Sequence, residues 1–285
     1  MKQAALITIH GMGRTERNYE QDLKREIRRR LGSRWSRLHF GKVYYQGILQ
    51  PNEDRIWNRV AGRLSWDPLR KFLLFGFADA AGLEARKHLP DSVYTQAQII
   101  IARVLFEARV ALGGDKPVVI IAQSLGGQVL SNYLWDAQHQ QANPGSVDIG
   151  IWRNPQQFTQ QIAGRNSLTA DELRFLAGGS LRYFYTTGCN IPIFAAAHAG
   201  QQIIPIDKPR PDFEWHNYYD KDDVLGWPLQ DLSNAYRLLV TDHRINAGQG
   251  FIGWLFKSWN PAAHGEYWGD DDVLDQLEDH LRALL

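Results

Sequence analysis

The chain of 285 residues contains a single cysteine, so no intramolecular disulfide can form and nothing argues for an oxidising compartment. Charge of one sign is missing too. The 32 Lys and Arg nearly match the 31 Asp and Glu, and the net charge of +1 leaves no global field to draw in nucleic acid. Long apolar runs are absent: the best candidate, 72–83, is interrupted by Gly76 and Asp79 and falls short of a membrane span. The first ten residues carry one Lys and no apolar stretch ahead of a small-residue cleavage site. The expectation is a soluble, cytoplasmic protein. Neither H-x-x-x-H nor C-x-x-C spacing occurs, nor a P-loop, so no metal and no cofactor are expected. Internal repeats and low-complexity segments are also absent, while 44% apolar residues suffice for a sizeable core.

What is present centres on residues 117–134. Val118 to Ile121 is a continuous apolar, β-branched run, the pattern of a strand buried on both faces. Gly126 and Gly127 follow, and Val129, Leu130, Tyr133 and Leu134 then recur at helical spacing. Ser124 thus sits at a strand-to-helix turn with Ala122 two residues before it and Gly126 two after. Such a tight turn pushes its central side chain outward and tolerates only small residues at −2 and +2. The N–H after the serine then points, with the helix N-terminus, at any oxyanion formed on a serine-bound carbon. The competing reading is a serine that merely caps a helix.

The stretch Ala122-Gln-Ser-Leu-Gly-Gly127 resembles the nucleophile elbow of α/β-hydrolases, especially the A/G-H-S-L-G-G form of lipases and esterases, with Gln123 in place of the usual His. At the N-terminus, Leu6-Ile-Thr-Ile-His10-Gly11-Met12-Gly13 looks like the same family's first strand and His-Gly oxyanion loop. The resemblance runs from about residue 4 to the C-terminus. It implies one α/β-hydrolase domain over 1–285, with a mostly parallel central sheet flanked by helices. It also implies a Ser-acid-His mechanism with no cofactor, and an oxyanion hole from the Met12 and Leu125 N–H groups. His10, Gly11, Gln123 and Cys189 become substrate-pocket candidates. A dinucleotide reading of the Gly11–Gly13 turn fails because Glu16 stands where the third glycine belongs.

Further strands are expected over 4–9, 39–49, 181–187, 213–219 and 235–241, and helices over 15–31, 94–112 and 271–285. Residues 51–92, helical and aromatic, and 143–180, mixed and turn-rich, are expected as insertions, either a lid over an acyl pocket or plain packing. The basic half of the first helix, Lys24 to Arg37, reads as a solvated face, with a phosphate- or membrane-binding patch as the alternative. Cys189 stands where a lipase-like T-x-G-S-P turn has serine, and it reads as packed or pocket-lining.

A serine hydroxyl needs a base, and the base needs an orienting carboxylate. On this fold the chain order is Ser, acid, His. No acid lies between Leu181 and Ile206, whereas the next strand runs into Asp220, Asp222 and Asp223. The turn Asp223-Val-Leu-Gly-Trp-Pro-Leu229 resembles the acid turn of lipase-like families, which makes Asp223 the candidate acid and Asp222 the alternative. His264, in an H-x-x-Y-W loop before the last helix, resembles the family's catalytic base, with His243 as alternative. The implied activity is hydrolysis of a carboxylic ester, small or lipid-like. A thioesterase, amidase or acyltransferase with the same triad, and a non-catalytic binding protein of this fold, are the alternatives. No nucleic-acid partner is expected, peripheral membrane contact stays open, and the sequence sets no oligomeric state.

Overall fold

The computed structural model describes residues 1–61, 65–197, 202–246 and 267–285. Its centre is a six-stranded parallel sheet of order β2-β1-β3-β4-β5-β6. The strands are β1 (Ala4–Ile9), β2 (Leu38–Val43), β3 (Val118–Gln123), β4 (Leu181–Thr187), β5 (Glu214–Asp220) and β6 (Val240–Ile245). Along β3, Val118, Ile120 and Ala122 join one core while Val119 and Ile121 join another, the period-2 alternation of a strand covered on both sides.

One face carries α1 (Gln21–Leu31) and α10 (Asp271–Leu284). Leu23, Ile27 and Leu31 form the buried stripe of α1, and Val273, Leu274, Leu277 and Leu281 that of α10. The other face packs against α4 (Val93–Leu112) and α5 (Leu125–Ala142). Between β2 and α4 lie α2 (Gln46–Val60) and α3 (Asp67–Glu84). The shorter α6 (Pro155–Ala163), α7 (Ala170–Leu176), α8 (Ile191–Ala197) and α9 (Asn234–Leu239) fill later connections. Among the described residues, no helix is long and apolar enough to cross a membrane.

Three expected elements are corrected. The first helix starts at Gln21, not 15, where the Tyr19 hydroxyl, its one proton shared between the Thr8 and Val43 carbonyls, pins the preceding loop to β1 and β2. The second strand ends at Val43 rather than 49. The N–H groups of Tyr45 and Gln46 turn to His10 Nε2, which caps the start of α2. Residues 235–239 are helical instead of extended, since Ser233 accepts the Tyr236 N–H and nucleates α9, and the strand begins only at Val240.

The basic stretch is not simply solvated. The Arg30 side chain meets Glu26 on its own helix and Asp271, Asp275 and Glu278 on α10. Arg34 and Arg37 donate to the carbonyls of Arg282 and Leu285. These contacts join the two helices on that face.

Candidate functional site

From the centre of the sheet, β1 leads outward to β2, whereas β3 leads the opposite way to β4. The loops leaving the carboxyl ends of β1 and β3 therefore diverge, and such a switch point leaves a crevice where open α/β sheets bind ligands. His10 to Gly13 and Ser124 are the residues at that point.

Ser124 bridges β3 and α5 at φ 51°, ψ −123°, a conformation that an L-residue adopts only when its surroundings hold it there. The Ser124 N–H donates to the Thr187 carbonyl at the end of β4, and its own carbonyl accepts from Gly127. Ser124 is fully buried, and its Oγ has no hydrogen-bond partner among the described residues. The neighbouring glycine is sterically required: a β-carbon on Gly126 would collide with the His10 carbonyl. Gly11 is pressed on the serine from the other side, where an added β-carbon would lie 2.8 Å from Ser124 Cβ. Leu125 opens α5, so its N–H has no acceptor within the helix. Met12 follows Gly11 in the same loop, with its sulfur against Gly76. These positions put Ser124, Gly11, Gln123 and Leu125 together, with Met12 next to Gly11 in the chain.

His10 is buried with both nitrogens engaged. Nε2 accepts from Tyr45 and Gln46, so Nδ1 carries the proton and donates to the Gly11 carbonyl at 2.8 Å. Burial pulls its pKa down to about 4, and it braces the loop as a neutral imidazole.

The loop is held from above by α3. The Gly13 N–H donates to Asp79 Oδ2 at 2.6 Å, and the Met12 sulfur packs over Gly76. Gln46 Nε2 donates both to Asp79 Oδ1 and to Glu53 Oε2, each at 3.1 Å. Burial first and the Asp79 carboxylate second raise Glu53 far above its usual range, so this pair retains a proton at neutral pH. Residues 51–92 thus include a direct support for the turn over Ser124.

Asp223 lies in the turn after β5. Its Oδ1 accepts the Leu225 N–H at 2.9 Å and its Oδ2 the Tyr267 hydroxyl at 2.8 Å, while that hydroxyl accepts the Asp220 N–H. Gly226 packs on Gly188, which directly follows β4, and this sets the turn beside the Ser124 anchor at Thr187. Trp268 Nε1 donates to Thr187 Oγ1, so the segment entering α10 is fixed to the same edge. Asp222 has an exposed side chain, and its backbone N–H bonds Asp220.

Two expected members are not brought to Ser124. His243 lies within β6 in the cross-strand row Gln123–Thr187–Tyr218–His243, three strand spacings or roughly 14 Å from Gln123. Cys189 is buried behind the elbow against Gly127, and burial pushes its thiol up to about 12. His264 lies outside the described residues.

Sequence reasoning missed the supports. Tyr267 stood inside the H-x-x-Y-W pattern without a role. Asp79 was visible only as an interruption of an apolar run. The Ser124 hydroxyl lies at the end of β3 and the Asp223 carboxylate in the turn after β5, at the same carboxyl edge of the sheet. Compared with known proteins, the chain matches no family model and no curated sequence.

Proposed function

We propose that this chain is an α/β-hydrolase-fold serine esterase that cleaves a carboxylic ester through Ser124, His264 and Asp223. The observation that carries the reading is Ser124 itself, a buried hydroxyl at φ 51° on the turn between β3 and α5, with Gly11 against it. A serine that only capped a helix would use its oxygen on a backbone N–H, and this one makes no such bond.

In the proposed reaction Ser124 Oγ attacks the ester carbonyl carbon while its proton passes to His264. The Leu125 and Met12 N–H groups hold the resulting oxyanion, each contributing about 3–4 kcal/mol. Collapse of the tetrahedral intermediate expels the alcohol, which takes the proton from His264 and leaves an acyl-serine. Water then repeats the sequence and releases the acid. Asp223, held by Leu225 and Tyr267, orients the imidazole. His264 precedes Tyr267, whose hydroxyl grips Asp223, by three residues, so their α-carbons are at most about 11 Å apart.

Labelling with a fluorophosphonate probe tests this reading, with the adduct located by mass spectrometry. Wild type should carry one adduct on Ser124, Ser124→Ala none, and His264→Ala should stay folded without turning over ester. A folded wild type that takes no adduct would overturn the assignment.

A further inference from the structure

A second cluster of chemistry-bearing side chains lies away from Ser124. Glu214 opens β5 and Asp220 closes it, six residue rises or roughly 20 Å apart. The carboxyl edge belongs to the site described above, and Glu214 marks the opposite edge. Glu214 and His216, two residues apart on a strand, project from the same face, which α10 covers and to which that helix contributes His280. One ligand atom from each of the three lies within 4.8 Å of the other two.

We propose that Glu214, His216 and His280 bind a divalent cation of the zinc class, tying α10 to β5. Two imidazoles and one carboxylate are a common zinc donor set, and nitrogen donors select zinc over magnesium or calcium. Ligands about 2.1 Å from a tetrahedral ion stand about 3.4 Å apart. His216 Nε2 and Glu214 Oε2 are already 3.2 Å apart, so the remaining adjustment falls on His280.

The surrounding groups hold each ligand through its other atom. Glu214 Oε1 is taken by both terminal nitrogens of Arg182, at 3.0 Å each, which leaves Oε2 facing His216. His216 Nδ1 lies 2.9 Å from His243 Nε2 and 3.3 Å from Gln276 Nε2. His280 Nδ1 lies 2.6 Å from the Tyr185 hydroxyl, and its ring stacks on Tyr183 at 3.8 Å. Nε2 is therefore the nitrogen that each histidine has left for a metal. Outer partners of this kind fix the tautomer and ring plane of metal-bound histidines. Without metal, the proton between His216 Nε2 and Glu214 Oε2 makes their hydrogen bond. When the cation takes both atoms, that proton moves to Nδ1, where His243 Nε2 accepts it. Glu214 is 46% exposed at its side chain and gives the ion a way in, whereas buried His216 gives it a dry wall. The Arg182 charge weakens binding but also sets the carboxylate in place.

The experiment is zinc titration of chelator-treated, full-length protein by calorimetry, with Glu214→Gln, His280→Ala and the exposed-site control His88→Ala alongside. Wild type and His88→Ala should bind one zinc per chain. At hundredfold excess over Kd, zinc should raise Tm by about 5 °C, while magnesium should not. Glu214→Gln should weaken binding at least tenfold and His280→Ala at least a hundredfold, and cobalt in wild type should give the visible bands of a low-coordinate nitrogen site. Glu214→Gln keeps shape and is half exposed, so it decides the matter if His280→Ala does not fold. No zinc binding by wild type, or equal binding by wild type and Glu214→Gln, would overturn the proposal and leave the cluster a hydrogen-bonded network.

Discussion

Glu53 and Asp79 are buried against each other between α2 and α3, where Gln46 and the Gly13 N–H donate to them, whereas Glu26, Asp271, Asp275 and Glu278 surround Arg30 at the rim of α1 and α10. The side chains are of one kind, yet their states are opposite. Hydrogen bonds from Arg29 and Arg30 pull Glu26 down to about 2, while burial raises Glu53. The first cluster fixes one backbone donor beside Ser124. The second aligns two amphipathic helices whose apolar stripes already hold them to the sheet. A carboxylate taken out of water is worth most where it fixes a single N–H, and least where solvent competes for every contact.

The largest effect should come from Asp79→Ala. It leaves the buried Gly13 N–H and the Gln46 amide short of an acceptor, at a cost of about 2–3 kcal/mol by urea unfolding. It should also slow fluorophosphonate labelling of Ser124. A neutral result would mean that α3 does not support the loop. Next comes the pH dependence of stability. Above about pH 4.5 the unfolded chain loses the Glu53 proton that the native state keeps, so wild-type stability should fall as pH rises from about 5 toward 9. The slope from this group reaches at most about 1.4 kcal/mol per pH unit. Glu53→Gln should flatten the decline, and parallel curves would place the proton elsewhere. Arg30→Ala should cost least, about 1 kcal/mol, and the loss should shrink in 1 M salt. Loss of stability with Asp79→Ala should not respond to salt. Equal salt responses would erase the distinction between the two clusters.

The parts legible in the sequence were those written locally. The elbow is readable because Ala122, Ser124 and Gly126 obey one steric rule within five residues. The buried strands 118–121 and 181–187 are readable from runs rich in β-branched and aromatic residues. The errors arose where one long-range partner decided the outcome. Tyr44 and Tyr45 extend a plausible strand until His10, thirty-five positions from Tyr45, accepts the N–H groups that start α2. Asp79 looks like a flaw in an apolar run until Gly13, sixty-six positions away, donates to it. Arg30 finds its acids more than 240 positions downstream. The Asp222 and Asp223 alternatives differ by one residue in sequence but sharply in surroundings. Only Asp223 has its carboxylate on Leu225 and Tyr267. No short-range pattern encodes such pairings, because they depend on which ends of which strands become neighbours.

The lone cysteine adds a practical consequence. Cys189 is shut behind the helix that Ser124 begins, against Gly127, with its sulfur protonated and out of solvent. A thiol reagent therefore has one place to react and can do so only while that packing is undone. With reagent concentrated enough to outpace reclosing, the rate of modification counts each opening of the packing between Cys189 and Gly127, read with no inserted label.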